Sequence, residues 1–424
     1  MAPRRGSRHD RIIETIQADR VVVARGVLDD PRCKARLDAM LAKVEGPSAE
    51  VLADEAVEGL LAGLGPREGR ERGGLDGRGR PKSLLAFARF GAGAPGPADV
   101  FPGYSWREVR DGGAQAAQGV LCQTAVEIQS AVGCPFDCAY CPYTSFVCVR
   151  LDVEDFADRV AALVASRRGQ TLWKLNNRTD TLGLEPEYGL ARALVERFAG
   201  LDPAAGHTLM LYSKGDAVEH LAGLAHRGRT VASFTITPDR IAALLEQGAP
   251  TPSARIAALG LLHRAGYPTR VRFSPVVPLR GWRAQYRELV GRIARAGTPE
   301  LVTLWTLSMI DLAELPSIVP LDELDPEVLA EACLGAAETR GKKGAPFPDA
   351  TRARIYRDLI AIVRDLLPET RVSLCLESPA VWDALGPLVP PRRGGSFVCN
   401  CGPRATPEAV RLVPLSPTAR RAPF

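Results

Sequence analysis

Cys134, Cys138 and Cys141 stand within eight residues, in the run Gly133-Cys134-Pro135-Phe136-Asp137-Cys138-Ala139-Tyr140-Cys141. The spacing C-x3-C-x2-C on a short loop lets three thiolates converge on one side, as the ligands of a cubic 4Fe-4S cluster must. With three protein ligands one iron keeps an open position, the arrangement of a site that binds a small molecule rather than of a closed structural site. A zinc knuckle or three packed core thiols are the plainer readings. Zinc motifs bring two close pairs of Cys or His, and no second pair follows Cys141 nearby. Further on, Cys399-Asn400-Cys401 is close enough for one metal, for an easily reduced disulfide or for a hydrogen-atom donor, or is two incidental thiols.

The elements that must position these residues follow from hydrophobic periodicity. Residues 126–133 alternate apolar and polar side chains and are rich in β-branched ones. They read as one strand with the cysteine loop at its carboxyl end, where α/β folds keep their chemistry. From 124 onward strand and helix alternate. Strands are expected at 172–175, 208–212, 230–236, 270–277 and 301–309. Helices are expected after Asp152 as a cap, from Pro186, through Val218 to Leu224, from Thr251-Pro252 to Gly266, and through Trp282 to Gly297. Six such repeats predict an α/β fold, a partial (β/α)6 barrel with helices outside, because parallel strands need crossover helices. A doubly wound open sheet is the runner-up, weakened because no glycine-rich phosphate turn follows the first strand.

That barrel is expected over 121–310, between an N-terminal extension, 1–120, and a C-terminal extension, 311–424. The first contains a helix-then-strand pattern at 11–25, a helical stretch at 37–64 and a Gly/Arg-rich linker at 65–82 that is too poor in apolar residues to pack. A second linker is expected at 92–97. The C-terminal extension predicts helices at 326–337 and 349–367 and a strand at 372–376.

Composition sets the outer bounds. The 424 residues are 46% hydrophobic and 24% charged, ordinary globular values, with a net charge of +5 that is too mild to indicate nucleic-acid binding by itself. Ten unevenly spaced cysteines point to a reducing compartment rather than a disulfide framework. No apolar stretch is long enough for a membrane span or a signal peptide, so a cytoplasmic, soluble protein without membrane partners is expected.

The cysteine loop resembles the radical S-adenosylmethionine superfamily. There the amino and carboxylate groups of the cofactor's methionine part chelate the open iron, and an electron from the cluster cleaves a carbon-sulfur bond to give a 5'-deoxyadenosyl radical. The resemblance implies a 4Fe-4S cluster on Cys134, Cys138 and Cys141, S-adenosyl-L-methionine as cofactor, and a reductase or flavodoxin/ferredoxin-type electron donor. It also implies cofactor-binding roles. Tyr140 lies against adenine, Asn176 and Asp180 hold the ammonium group, Lys214 beside Ser213 pairs with the carboxylate, and Ser233 and Thr235 bond ribose hydroxyls. Each of these alone also reads as a satisfied polar group at a strand end.

A closer resemblance is carried by the cysteine loop together with Thr179-Asp180-Thr181-Leu182-Gly183-Leu184-Glu185, Tyr212-Ser213-Lys214, Ser233-Phe234-Thr235-Ile236, Arg255-Ile256, Ala265-Gly266-Tyr267-Pro268 and Gly281-Trp282. In order and spacing these are similar to the spore photoproduct lyase family, over roughly residues 124–290. The family's founding member reverses a thymine dimer in DNA by hydrogen abstraction and return. The resemblance therefore implies a nucleic-acid or nucleotide-type substrate. Two departures stand out. Asn177 occupies the place of the family's hydrogen-donating cysteine, and an amide has no comparably weak bond to give. Pro142 takes the place of a tyrosine, with Tyr143 one residue later. The hydrogen donor is thereby left among Cys148, Cys399, Cys401 and Tyr143. A radical enzyme modifying a natural-product intermediate or a peptide is the first alternative. From another class, an iron-sulfur electron-transfer or sensor protein without turnover is the second, disfavoured because it needs no groups such as Asp180 and Lys214 to chelate a zwitterion.

Overall fold

A computed structural model describes residues 15–64, 74–75, 81–89, 99–101, 104–389 and 397–405. Its largest sheet has eight strands. In spatial order they are Arg371–Leu374, Leu301–Thr306, Thr269–Val276, Thr230–Thr235, Thr208–Ser213, Leu172–Leu175, Ala125–Ile128 and Arg107–Arg110. The first seven are parallel and the last is antiparallel. The fold is α/β as expected. Hydrogen bonding does not join the two end strands to each other, so the sheet is open among the described residues. It draws one strand from before residue 121 and one from after residue 310.

Crossover helices cover one face. In the helix Trp282–Ala296, Trp282, Tyr286, Leu289, Val290 and Ile293 fall on one stripe and are buried. Thr251 caps the helix Pro252–Arg264 by accepting from the Ala254 N–H, with Pro252 at the first position, as the sequence predicts. Beneath these helices lie Trp173, Leu175, Leu209, Leu211, Phe234, Val271 and Phe273 in the main core. The alternating residues, Glu127, Lys174, Tyr212, Ser233 and Arg272, share the other face.

This polar face is buried as well, because residues 397–405 lie across it. Ser373 Oγ donates to the Val398 carbonyl at 2.7 Å, Asn400 Nδ2 to Ser233 Oγ at 3.1 Å, and Gln123 to the Phe397 carbonyl. The guanidinium of Arg270 donates to the carbonyls of Asn400 and Ala405.

A second sheet of five strands, Ala131–Gly133, Phe146–Arg150, Leu84–Ala88, Val21–Ala24 and Glu50–Leu52, accounts for the main departure from expectation. Residues 126–133 are two strands, not one. Ala125–Ile128 belongs to the large sheet, and Ala131–Gly133 pairs antiparallel with Phe146–Arg150 in the second. Alternation alone cannot register this because both segments are buried on both faces.

Other differences are local. The described part of 11–25 forms strands Ile16–Gln17 and Val21–Ala24 rather than starting as a helix, and 37–64 is interrupted by Val44–Glu45 and Glu50–Leu52. The helix expected from Pro186 begins at Leu190, where the Glu185 carboxylate accepts from the Gly189 and Ala191 N–H groups. Asp152 precedes its helix but makes no side-chain cap, its carboxylate being taken by Arg150. The segment 218–224 yields only Glu219–Ala222, and a helix Asp239–Leu245 with the short strand Glu246–Gln247 was not expected. Of the 65–82 linker, Gly74 and Leu75 are docked, their N–H groups bonding the Ala139 and Ser317 carbonyls at 2.8 and 2.7 Å. The linker at 92–97 lies outside the described residues.

The crossing between the two sheets at Gln129-Ser130 is fixed by Asn176. Its backbone is left-handed at φ 60°, and its Oδ1 accepts from both the N–H and the hydroxyl of Ser130, at 2.9 and 3.0 Å. Asn176→Ala should destabilise the fold by about 1–3 kcal/mol, because it strands the buried Ser130 N–H. The check is a lowered urea midpoint at unchanged slope, and an unchanged midpoint would remove Asn176 from this role.

Candidate functional site

Gly133 turns the chain out of the second sheet into the cysteine loop. Its φ is +84°, and a Cβ there would meet the Phe146 carbonyl oxygen at 1.8 Å, so only glycine fits. The loop is then tied at several points. Cys134 N donates to the Tyr143 carbonyl at 2.7 Å, Cys141 N to the Cys138 carbonyl at 2.9 Å, and Ala139 N to the Leu245 carbonyl at 2.8 Å. Asp137–Cys138 pairs antiparallel with Glu246–Gln247. From the N-terminal part comes Lys82, its ammonium buried, donating to the Phe136 and Thr144 carbonyls at 3.3 and 2.7 Å and pairing with Asp137.

The three sulfurs pack with Phe136, Tyr140 and Ala249. Desolvation pushes the Cys138 thiol up to about 12, and it raises Cys134 well above its ordinary value, with Asp180 and the neighbouring cysteines adding to the effect. Cys134 and Cys138 are therefore held as thiols by their burial, and their deprotonation must be driven by a metal that prefers sulfur. Among the described residues no three Cys, His, Asp or Glu side chains are placed to hold a single metal ion. Three cysteines on one tightly tied loop are the kind of donor set that a polynuclear cluster, whose irons are spread over several positions, would need.

Beside the loop, the carboxylate of Glu246 is fully buried and gathers four groups. Arg255 Nη1 lies 2.6 Å from it, Tyr140 Oη donates to it at 2.6 Å, Thr237 Oγ1 at 3.0 Å, and the Lys214 ammonium stands 3.9 Å away. Desolvation works to raise this carboxyl, yet Arg255 and Lys214 hold it below its ordinary value. Lys214 also stands 5.3 Å from the centre of the Tyr140 ring. Sequence reasoning missed Glu246. It sits on a two-residue strand after an unexpected helix, and no periodicity marks so short an element.

Asp180, Ser213 and Lys214 meet, but not as an ion pair between side chains. The Asp180 carboxylate accepts from the Ser213 hydroxyl, from the Leu182 N–H at 3.0 Å and from the Lys214 backbone N–H at 2.6 Å, which leaves the Lys214 ammonium directed to Glu246 and Tyr140. Asn176 stands apart, its amide oxygen committed to Ser130. Ser233 is bonded to Asn400, and the Thr235 carbonyl accepts from Arg255 at 3.2 Å. Asn177 is exposed at the end of its strand and accepts from the Lys174 ammonium. Cys148 lies in the middle of the second sheet, opposite Val132 and Ala86 and almost fully buried, while the Tyr143 hydroxyl accepts from Arg178 at 3.1 Å. Cys399 and Cys401 face the polar side of the large sheet.

Residues 123–312 match the spore photoproduct lyase family. This segment is thus similar to spore photoproduct lyases, a likeness that supports a radical S-adenosylmethionine, lyase-like relationship. The spore photoproduct lyase of Bacillus subtilis (strain 168) is 25% identical over 176 residues, which are 40% of this chain and 51% of that protein, so the chain spans about half the length of this curated relative. Solved lyase structures extend the likeness in fold. A mutant with bound AdoMet and dinucleoside spore photoproduct superposes with a TM-score of 0.57 at 16% identity, covering 85% of this chain and 98% of that one. A lyase complexed with dinucleoside spore photoproduct gives 0.56 at 16% identity with the same coverage. Among the described residues no helix is long and apolar enough to cross a membrane.

Glu246→Gln should leave Arg255 and Lys214 without their shared counter-charge. Removing one partner of a buried ion pair costs about 3–5 kcal/mol, and Glu246→Asp should recover part of the loss. Chemical denaturation of both variants checks this, and equal stability of the Gln variant and the parent would show that Glu246 is not the organising charge.

Proposed function

We propose that the chain is a radical S-adenosylmethionine enzyme that abstracts hydrogen from a nucleic-acid or nucleotide-type substrate. The observation that carries this reading is the three-cysteine loop tied edge to edge with Glu246, so that Tyr140, Lys214 and three thiols share one pocket. The relatives with bound AdoMet and dinucleoside spore photoproduct support the cofactor and the substrate class. The open sheet serves as the partial barrel, and a flavodoxin/ferredoxin-type donor or reductase supplies electrons.

Cys134, Cys138 and Cys141 would hold the 4Fe-4S cluster. When bound, cluster and S-adenosylmethionine together supply a 5'-deoxyadenosyl radical by reductive cleavage of a carbon-sulfur bond. The chain's own residues bind and orient. Lys214, whose ammonium is mostly buried and kept charged chiefly by Glu246 against its desolvation, offers a cation to the cofactor's carboxylate. Asp180 fixes the turn of Ser213 and Lys214 through its bonds to both, and presents its carboxylate toward the ammonium group. Tyr140, held at its hydroxyl by Glu246, offers its ring to adenine. Thr235 and Ser233 line the neighbouring strand. Asn176 contributes by fixing the turn before Asn177 and Asp180.

Anaerobically reconstituted protein should carry about four iron and four sulfide per chain, as a cubic cluster requires. Replacing Cys134, Cys138 and Cys141 together by alanine should abolish the cluster absorbance; its full retention would overturn the assignment. Lys214→Ala should keep the cluster and weaken S-adenosylmethionine binding by about 2–5 kcal/mol, the cost of leaving a desolvated charge unpaired. Equilibrium binding reads the effect, and unchanged affinity removes Lys214 from the cofactor site.

Asn177 separates this chain from the lyase. With a strong reductant the protein should produce 5'-deoxyadenosine, yet leave spore photoproduct in a dinucleotide or duplex largely unrepaired or diverted. Restored thymidine is quantified against 5'-deoxyadenosine, and clean repair by the unaltered protein would contradict a departure from lyase chemistry.

A further inference from the structure

The polar face of the large sheet holds a charge imbalance that the cofactor site does not use. Arg110, Lys174 and Arg272 project there, and Glu127 answers Arg110 and Lys174 with one carboxylate. Arg272 is 4% exposed, yet its described partners are the Ser274 hydroxyl at 3.4 Å, the Cys375 sulfur at 3.7 Å and the Tyr212 ring at 4.7 Å, and its Nε is buried without a partner. Lys174 stands 4.6 Å from the centre of the same ring. Buried cations need a counter-charge. Besides Glu127 and Tyr212, the groups facing them are sulfurs, of Cys122, Cys375, Cys399 and Cys401.

One of these sulfurs is gripped. Arg110 Nη1 donates to Cys401 Sγ at 3.1 Å while its Nη2 holds the Cys401 carbonyl, and the Cys399 thiol is hydrogen-bonded to the Cys401 sulfur. Both cysteines are free. The backbone on either side is fixed by the bonds from Gln123, Ser373, Asn400 and Arg270 already described, so the pair is held against the sheet.

We propose that Cys399 and Cys401 are a redox-active dithiol that exchanges with small-molecule disulfides, with Cys401 as the attacking thiolate and Arg110 as its positioning residue. The thiolate of Cys401 attacks one sulfur of the disulfide and expels the first thiolate, which takes the Cys399 proton. The sulfur of Cys399 then attacks Cys401 in the mixed disulfide and expels the second thiolate. The protein gains a Cys399–Cys401 bond, and two electrons pass to the small molecule, which leaves as one thiol and one thiolate. A small dithiol reverses the reaction. The hydrogen bond from Cys399, and after it Arg110, Lys174 and Arg272, draw the Cys401 thiol well below its ordinary range against desolvation, and raise the share present as nucleophile. Tyr212, Glu127, Cys122 and Cys375 are the other titratable groups facing the pair among the described residues. The network Cys401–Arg110–Glu127–Lys174–Asn177 links this two-electron store to the strand end where the hydrogen-donating thiol is missing.

The test uses the full chain, equilibrated without oxygen in buffers of oxidised and reduced dithiothreitol, then alkylated and mapped by mass spectrometry. The peptide carrying Cys399 and Cys401 should convert between dialkylated and internally bridged forms at buffer ratios that leave Cys33, Cys148 and Cys333 as thiols. Two free thiols at every ratio, or a bridge to Cys122 or Cys375 instead, would overturn the proposal. So would metal that stays with the Cys134, Cys138 and Cys141 triple alanine variant and is lost when Cys399 and Cys401 become serine. As a second readout, alkylation of Cys401 below neutral pH should slow by about tenfold or more in Arg110→Met and recover in Arg110→Lys, because the rate follows the thiolate fraction. An unmoved pH profile in Arg110→Met would remove Arg110 from its role.

Discussion

A fully buried carboxylate, Glu246, must be answered by charge and hydrogen bonds or it would not remain ionised. The surroundings of the cysteine loop satisfy that demand. Arg255 reaches it from a crossover helix, Thr237 from the end of a sheet strand, Lys214 from the end of the neighbouring one, and Tyr140 from the loop itself. Each comes from a different element, so the carboxylate fixes their mutual positions more tightly than apolar contacts, which tolerate sliding. The pairing of Asp137–Cys138 with Glu246–Gln247 carries this constraint into the loop backbone. The loop's other side is held by Lys82, a cation from the second sheet on the Phe136 and Thr144 carbonyls. The sulfurs are thus positioned by two charges, one from each half of the molecule.

This arrangement explains which parts could be read from the sequence. The crossover helices and parallel strands were legible because each has one strongly apolar face and strong end signals, as at Thr251-Pro252 and Gly297. The cysteine loop was legible because its chemistry depends on spacing along a few residues. Glu246 and Lys82 were not, since what matters for them is the distance to groups remote in sequence. The change of sheet at Gln129-Ser130 was invisible for another reason. The alternation from Val126 onward carries no mark of where the strand's partners change, because both pieces are buried on both faces, and the determinant, Asn176, lies 46 residues away from Ser130.

Residues inferred to bind a cofactor divide similarly. Ser213 and Lys214 were found at a strand end and are brought beside Asp180, but through the Lys214 backbone rather than its ammonium. Asn176 and Ser233 have the right residue types for a polar mouth and are spent on structural bonds, to Ser130 and Asn400. Residue type therefore picked out polar groups at the strand ends, while only three-dimensional bonding distinguishes those still open to a ligand from those spent on structure.

The segment at 397–405 gives the fold an order in time. Its bonds join residues as far apart in sequence as Arg110 and Cys401, 291 positions, whereas neighbouring strands of the sheet are tens of residues apart. During synthesis the amino-terminal portions emerge and begin folding first. All eight strands precede this segment in the chain, so their polar face can be assembled while it is still open to water, and its buried cations stay hydrated until the last stretch arrives. Closing that face is thus a late, separate event, and the sheet is complete before the stretch that carries Cys399 and Cys401 is laid across it.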